Sequence, residues 1–332
     1  MAKIGVIGAG SWGTAVAWLL DGKGHNVQMW AFESEIADAI NASGRNPIYL
    51  PKVQFSDRIS ASSDMAIALE DAEAVVMVTP SIGVRATAEK VAETLSIDTP
   101  VIILSKGLES GTSLLMTEIL EEVLGNPDRI AALSGPNHAE EVSRAVPSAT
   151  VVAAHSQQTA DYFQQLFSTP FFRVYTNTDI TGVELCGAGK NVVAIACGLC
   201  DGLRLGDNAK ASLMTRGLAE MARLGKARGA QSETFQGLAG MGDLIVTCTS
   251  KHSRNRSLGE ELARGGTLEG YQQRTKMVVE GAMACASIYE LAQTEGIDVP
   301  ITQLIYQILY EDYSAELGVS MLMSRPLKSE QE

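Results

Sequence analysis

One lysine stands alone in an apolar stretch. In Gly187-Ala188-Gly189-Lys190-Asn191 and the following Val192–Cys200, Lys190 carries the sole charge. Burial lowers a lysine's pKa toward neutrality, which an acid or base working near pH 7 requires. The small residues before it leave room for a ligand to approach. The string superficially resembles a nucleoside-triphosphate loop. It lacks the Ser/Thr after the lysine and the strand before it, so that chemistry is excluded. A second lysine, Lys106, follows the apolar run Val101–Leu104. It can neutralise an anion or polarise a carbonyl; the alternative is a solvated surface lysine. Asp243 follows Ala239-Gly240-Met241-Gly242, which reads as a flexible loop. It can hold a lysine ammonium, bind a substrate hydroxyl or cap a helix.

Two further segments suit a polar ligand. In Ser134-Gly135-Pro136-Asn137-His138-Ala139-Glu140, Gly-Pro sets a rigid turn whose N–H groups suit a substrate oxygen. His138 is a candidate acid there, less well placed than Lys190. The chain as a whole is acidic, with 26 Lys+Arg against 39 Asp+Glu and a net charge of −13. Such a protein repels nucleic acid and anionic lipid, so an anionic ligand needs a local positive pocket. Thr247–Arg256 supplies one, with Lys251, Arg254 and Arg256 beside Ser253 and Asn255 at the start of a helix. Guanidinium, amide and hydroxyl donors at a helix N-terminus suit phosphate oxygens. A solvated basic turn is the alternative.

The first 33 residues carry a dinucleotide pattern. Strand-like Ile4–Ile7 runs into Gly8-Ala9-Gly10-Ser11-Trp12-Gly13, which opens a helix. Gly8 permits the tight turn, Gly10 admits a pyrophosphate to the backbone, and Gly13 lets helix pack on strand. Glu33 lies 20 residues after Gly13, at the end of the second strand. A carboxylate there accepts hydrogen bonds from the adenosine ribose and repels the extra phosphate of NADP. No Lys or Arg stands between Gln28 and Ser43 to bind that phosphate. NAD(H) is therefore expected to be preferred, with NADP(H) possible. Phe32 can stack on the adenine. Glu33 could instead cap the helix Glu35–Ile40. Thr79-Pro80-Ser81, at the end of the run Ala74–Thr79, reads as a nicotinamide-ribose loop or an ordinary turn.

The elements that must carry these residues fall into two textures. Strands are expected at Lys3–Ile7, Asn26–Trp30, Ala74–Thr79, Val101–Leu104, Thr150–Ala154 and Phe171–Tyr175. Between them lie helices at Trp12–Lys23, Val84–Leu95, Leu114–Leu124 and Thr159–Phe167. This alternation implies an α/β N-terminal Rossmann-like domain with a mainly parallel sheet. After Asn177 come helical segments alone, at Val183–Cys200, Ala209–Gly225, Ser257–Arg264, Met277–Thr294 and Thr302–Tyr310, an all-α C-terminal domain. The division is placed at 1–178 and 179–332. Leu327–Glu332 reads as a frayed polar tail. No apolar run approaches the ~20 residues of a membrane span. No signal peptide is read at the start. The five cysteines, an odd count, read as reduced buried thiols, and Cys197-Gly-Leu-Cys200 as packing rather than a metal or redox pair. No metal is expected.

Together GAGSWGTA, SKGLE, SGPNHAEE, GAGKNVVAIACGLCDG, GLAGMGDLIVTCT, SRNR and VVEG resemble the NAD-dependent glycerol-3-phosphate dehydrogenases, in order and over nearly the whole chain. The resemblance implies reversible reduction of dihydroxyacetone phosphate to sn-glycerol 3-phosphate, the backbone of glycerophospholipids. It implies Lys190 as general acid/base and Lys106 as a contact of substrate and nicotinamide. Ser11, Trp12 and Phe32 match cofactor positions. Gly135, Asn137 and Ala139 match a turn that meets substrate and cofactor. Asp243, Ser253, Arg254 and Asn255 match substrate positions, Arg254 also lying near the cofactor. Val278 and Glu280 match a late cofactor contact, and Thr247 a support for the lysine. It further implies a cytoplasmic homodimer without membrane insertion. Two positions depart from the bacterial pattern: Asn137 replaces the usual Ser or Thr, and Phe32 the frequent basic residue. A 3-hydroxyacid dehydrogenase, or a non-catalytic NAD(H) sensor, is the alternative reading; the Ser253–Arg256 cluster argues against the first, and converging lysines against the second.

Overall fold

The computed structural model describes residues 1–275, 278–327, 329 and 330. Eight strands form one sheet: β1 Lys3–Ile7, β2 Asn26–Trp30, β3 Ile59–Ser62, β4 Ala74–Met77, β5 Val101–Ile103, β6 Ile130–Ser134, β7 Ser148–Ala154 and β8 Phe172–Asn177. Their order is β3-β2-β1-β4-β5-β6-β7-β8. All neighbours run parallel except the antiparallel β6–β7 pair. The first six strands thus have the 3-2-1-4-5-6 order of a dinucleotide fold, with its switch point between β1 and β4. The strands alternate between two apolar layers. Ala74 and Val76 face one core with Ile102, Ala131 and Leu133. Val75 and Met77 face the other with Val101, Ile103, Ile130 and Ala132. Burial on both faces explains why these strands read as continuous apolar runs.

Beyond β8 the described residues form helices and turns. At their centre lies the helix Ile180–Gly202, in which every residue from Gly182 to Cys200 is buried. It is 23 residues long and apolar enough to cross a membrane by length and composition, yet its most apolar stretch is buried inside the protein throughout. This corrects the expectation that no segment reaches spanning length: Glu184, Lys190 and Asp201 interrupt the run in sequence without ending the helix. Gly187–Lys190 occupy the middle of this helix. A helix covered on all sides has no polar stripe and gives a weak periodic signal. Its neighbours include Asp207–Ala227, Arg254–Leu262, Glu280–Glu295 and Pro300–Tyr310.

Other departures are local. Strands β3 and β6 and the helix Ala315–Met323 were not expected from the sequence. β3 reads Ile-Ser-Ala-Ser, too short and polar to signal a strand, and it forms by pairing with β2. Leu238–Gly242 is a π-helical turn rather than a flexible loop. The helix expected at Met277–Thr294 runs from Glu280 to Glu295, and Met277 lies outside the described residues. So do Lys328, Gln331 and Glu332 of the expected tail.

Candidate active site

The glycine turn sits at the carboxyl end of β1. Gly8 has φ +122°, and a Cβ there would meet the Val78 carbonyl oxygen at 2.8 Å. A Cβ on Gly13 would lie 1.9 Å from the Gly8 oxygen. Only glycine fits either place. A Cβ on Gly10 would meet nothing within 4 Å, so this turn opens outward. The helix Ser11–Gly22 begins there without a side-chain cap. Open backbone and an uncapped helix N-terminus fit a pyrophosphate. Buried Asn46 braces the turn from outside, donating to the Ala9 oxygen at 2.8 Å and Thr14 Oγ1 at 3.0 Å. No sequence pattern marks Asn46. At the neighbouring strand end Phe32 is 75% exposed and packs edge-on to Trp30 at 6.1 Å. Glu33 occupies the N-cap position of Ser34–Ser43, but its carboxylate makes no cap bond. Trp12 packs near Phe172, its indole N–H buried without a partner.

A continuous set of contacts leads from this turn to the lysines. Gly8 abuts Val78, and Ser105 Oγ donates to the oxygen of the next residue, Thr79. Lys106 Nζ donates to Asp243 Oδ2 at 2.8 Å, and to the Gly135 oxygen and Asn137 Oδ1 at 3.2 Å each. Lys190 Nζ pairs with the other oxygen, Asp243 Oδ1. Asp243 opens the helix Asp243–Thr249, whose N-cap position falls on Gly242, so Asp243 itself is not the cap. Thr247 Oγ1 donates to the Asp243 backbone oxygen at 2.6 Å. Asn137 Nδ2 donates to Thr150 Oγ1, which donates to the Ser134 oxygen at 2.8 Å. Gly135, at φ +143°, lies so close to Thr150 that a Cβ would come within 2.9 Å of its Cα.

Burial and neighbours set the charges. Burial pulls the Lys190 pKa down to about 8, opposed by Asp243 and assisted by Lys106. Burial alone would raise the Asp243 carboxyl; the two ammonium groups outweigh it and hold its pKa below the usual value. Burial raises Glu280, against the pull of Arg254, Lys106 and Lys190. All three cations therefore act on one carboxyl. Burial lowers His138, with Lys190 adding to it, and its Nε2 is buried without a partner. A neutral imidazole is a poor proton donor, so Lys190 is the better acid.

The helix Arg254–Leu262 crosses the central helix at two glycines. A Cβ on Gly198 would lie 2.0 Å from the Arg256 oxygen, and one on Gly259 2.1 Å from the Ile195 oxygen. Near this crossing the start of Arg254–Leu262 meets the middle of the central helix: Asn255 Nδ2 donates to Asn191 Oδ1 at 2.9 Å. Asn255 Oδ1 in turn accepts from the Gly281 N–H at 3.0 Å, which ties in the start of Glu280–Glu295. Ser253 caps the helix through Arg256 N, and Arg254 is exposed at its first position. Arg256 does not join the pocket; it pairs with Asp201 at 2.7 Å and Glu260 at 2.6 Å. The expected three-cation cluster is thus corrected, because Arg256 lies one turn-half round the helix and finds acids there. Ala139 is buried, and Val278 is 45% exposed just before Glu280. Asn191 and Thr150 were not singled out from sequence; a polar residue beside Lys190 on a buried helix was the available sign for Asn191. All five cysteines are buried and unbridged. Among the described residues no group of three or more His, Cys, Asp or Glu is set to hold a metal.

A parallel sheet of dinucleotide order, an open glycine turn at its switch point and two lysines on one carboxylate nearby define a nicotinamide-dependent dehydrogenase. Models of the NAD-dependent glycerol-3-phosphate dehydrogenase N-terminus and C-terminus match residues 3–160 and 179–320. The chain belongs to that family. It is 49% identical over 331 residues to glycerol-3-phosphate dehydrogenase [NAD(P)+] of Moorella thermoacetica, covering 99% of this chain and 98% of that one. The glycerol-3-phosphate dehydrogenase structure from Coxiella burnetii superposes with a TM-score of 0.93 at 38% identity, covering 98% and 99%. The Saccharomyces cerevisiae enzyme gives a TM-score of 0.85 at 30% identity, covering 97% and 99%.

Proposed function

We propose that the chain reduces dihydroxyacetone phosphate to sn-glycerol 3-phosphate, reversibly, with Lys190 as general acid in that direction and general base in the other. The observation that carries this is the shared carboxylate: Asp243 holds Lys106 at 2.8 Å and Lys190 on its second oxygen. A bound nicotinamide supplies or takes the hydride. Arg254, the Ser253 hydroxyl and the free amide hydrogen of Asn255 hold the substrate phosphate. Lys106 and the Gly135–Asn137 turn fix the ketone and offset charge growing on its oxygen. Lys190, with a pKa of about 8, is mostly ammonium at pH 7 and gives its proton to that oxygen. Purified Lys190→Ala should lose about 10²–10⁴ in kcat. A variant with near wild-type kcat ends the assignment.

Gly8, Gly10, Ser11, Trp12 and Gly13 would hold the cofactor, with Ala139, Arg254, Val278 and Glu280 as further contacts. NAD(H) is preferred, because Glu33 meets the adenosine ribose and no cation is near it in sequence. We place the division at 1–178 for the dinucleotide domain and 179–332 for the helical one. The same reading gives a homodimer in the cytoplasm, without membrane insertion, that supplies the glycerophospholipid backbone.

A further inference from the structure

The central helix carries a second buried ionisable residue that this chemistry does not use. Glu184 is 6% exposed and lies six residues before Lys190. Its carboxyl crosses to the sheet half of the molecule. It accepts from Thr117 N at 3.2 Å and 3.4 Å through its two oxygens, and from Thr117 Oγ1. Thr117 is the second residue of the helix Met116–Leu124, where backbone N–H groups have no partner within the helix. A carboxyl group there satisfies a buried donor that would otherwise be orphaned.

One turn on, the same helix rides against Lys106. A Cβ on Gly187 would lie 3.4 Å from Lys106 Cγ and 3.1 Å from Ser134 Oγ. Ser134 Oγ is buried without a partner. A small cavity between helix and sheet is lined by Ser105, Lys106, Ser134, Glu184 and Gly187. The next turn carries Lys190. A slip of the helix at Glu184 therefore moves the stem of one lysine and the base of the other together. We propose that Glu184 is a positioning residue: through Thr117 it sets the height of the lysine-bearing helix over the sheet, and so the separation of Lys190 and Lys106 from the substrate.

Burial pushes the Glu184 carboxyl up to about 8, so near neutrality an amide of the same shape can replace it. The inference rests on Lys190 and Lys106 acting as proposed above. The test compares Glu184→Ala, Glu184→Gln, Thr117→Val and Lys190→Ala in the intact protein. Steady-state rates with dihydroxyacetone phosphate are set against NADH affinity from fluorescence titration. A misplacement near 1 Å costs about 10² in rate. Glu184→Ala should therefore lose about 10²-fold in kcat with NADH affinity within about twofold, because the glycine turn lies at the end of β1 and not on this helix. Glu184→Gln should keep kcat within about threefold, and Thr117→Val should lose about tenfold. Wild-type kcat in Glu184→Ala, or parallel loss of NADH binding and rate, would overturn the proposal. If Glu184→Ala does not fold, wild-type kcat in Thr117→Val overturns it. Activity retained in Lys190→Ala instead removes the reading on which it stands, which separates the two failures.

Discussion

Neutralising Asp243 isolates the electrostatic part of the site. Asp243→Asn keeps the side-chain shape and removes the one negative charge shared by Lys106 and Lys190. Unit charges about 4 Å apart interact by ~4 kcal/mol at an effective dielectric near 20. One pKa corresponds to about 1.4 kcal/mol, so the Lys190 value of about 8 should fall by roughly 2 to 3. With Lys190 as the proposed acid, reduction needs its ammonium form. In the wild type its rate should be level below a pH of about 8 and fall above it, while the reverse oxidation rises through the same point. In the variant the break moves to a pH of about 5 to 6. The protonated share at pH 7 then drops from roughly nine-tenths to between 1 and 10 per cent, and reduction slows about 10- to 100-fold. At pH 5.5 the deficit shrinks to about fourfold or less. Initial rates from NADH absorbance at about 340 nm, taken across pH 5 to 9, read the break directly. A break in Asp243→Asn within about half a pH unit of the wild type would refute the claim that this carboxylate sets the Lys190 charge.

Two further outcomes follow from other contacts. On the proposed cofactor reading, Glu33→Gln removes a charge that repels a 2′-phosphate, so the ratio of kcat/KM for NADH over NADPH should fall by about fivefold or more; an unchanged ratio means that Glu33 does not face the ribose. Glu220 is buried against Ile301 N at 2.7 Å and Thr302 N at 3.2 Å, and burial pushes its carboxyl up to about 7. The folded form keeps a proton that the unfolded chain loses above a pH of about 4.5, so this group costs stability as pH rises from there to about 7. The melting temperature of Glu220→Gln relative to wild type should accordingly climb between pH 5 and pH 8. A difference independent of pH would show that Glu220 stays ionised in the folded protein.

Much was legible in the residues themselves. The glycine turn announces itself because backbone geometry admits only glycine at Gly8 and Gly13, whatever the rest of the chain does. Parallel strands such as Ala74–Met77 and Val101–Ile103 are visible because burial on both faces demands continuous apolar runs. Lys190 stands out because a charge inside a buried helix requires a partner. The family motifs, too, are local strings.

Asp243 holding a lysine ammonium was one of several options in the sequence, and choosing among them depends on contacts between residues far apart in the chain. Lys106 and Asp243 are 137 positions apart, and only the packing of the helical part on the sheet edge places both lysines on one carboxylate. Arg254 and Arg256 look equivalent in sequence; helix rotation exposes one and gives the other to Asp201 and Glu260. β3 exists only as a partner of β2, and Asn46 and Glu184 gain meaning only from the turn and the helix end they reach. Sequence carries what the backbone and local burial impose; the tertiary structure alone decides charge pairing, because an ion's energy depends on which opposite charge lies within a few ångströms of it.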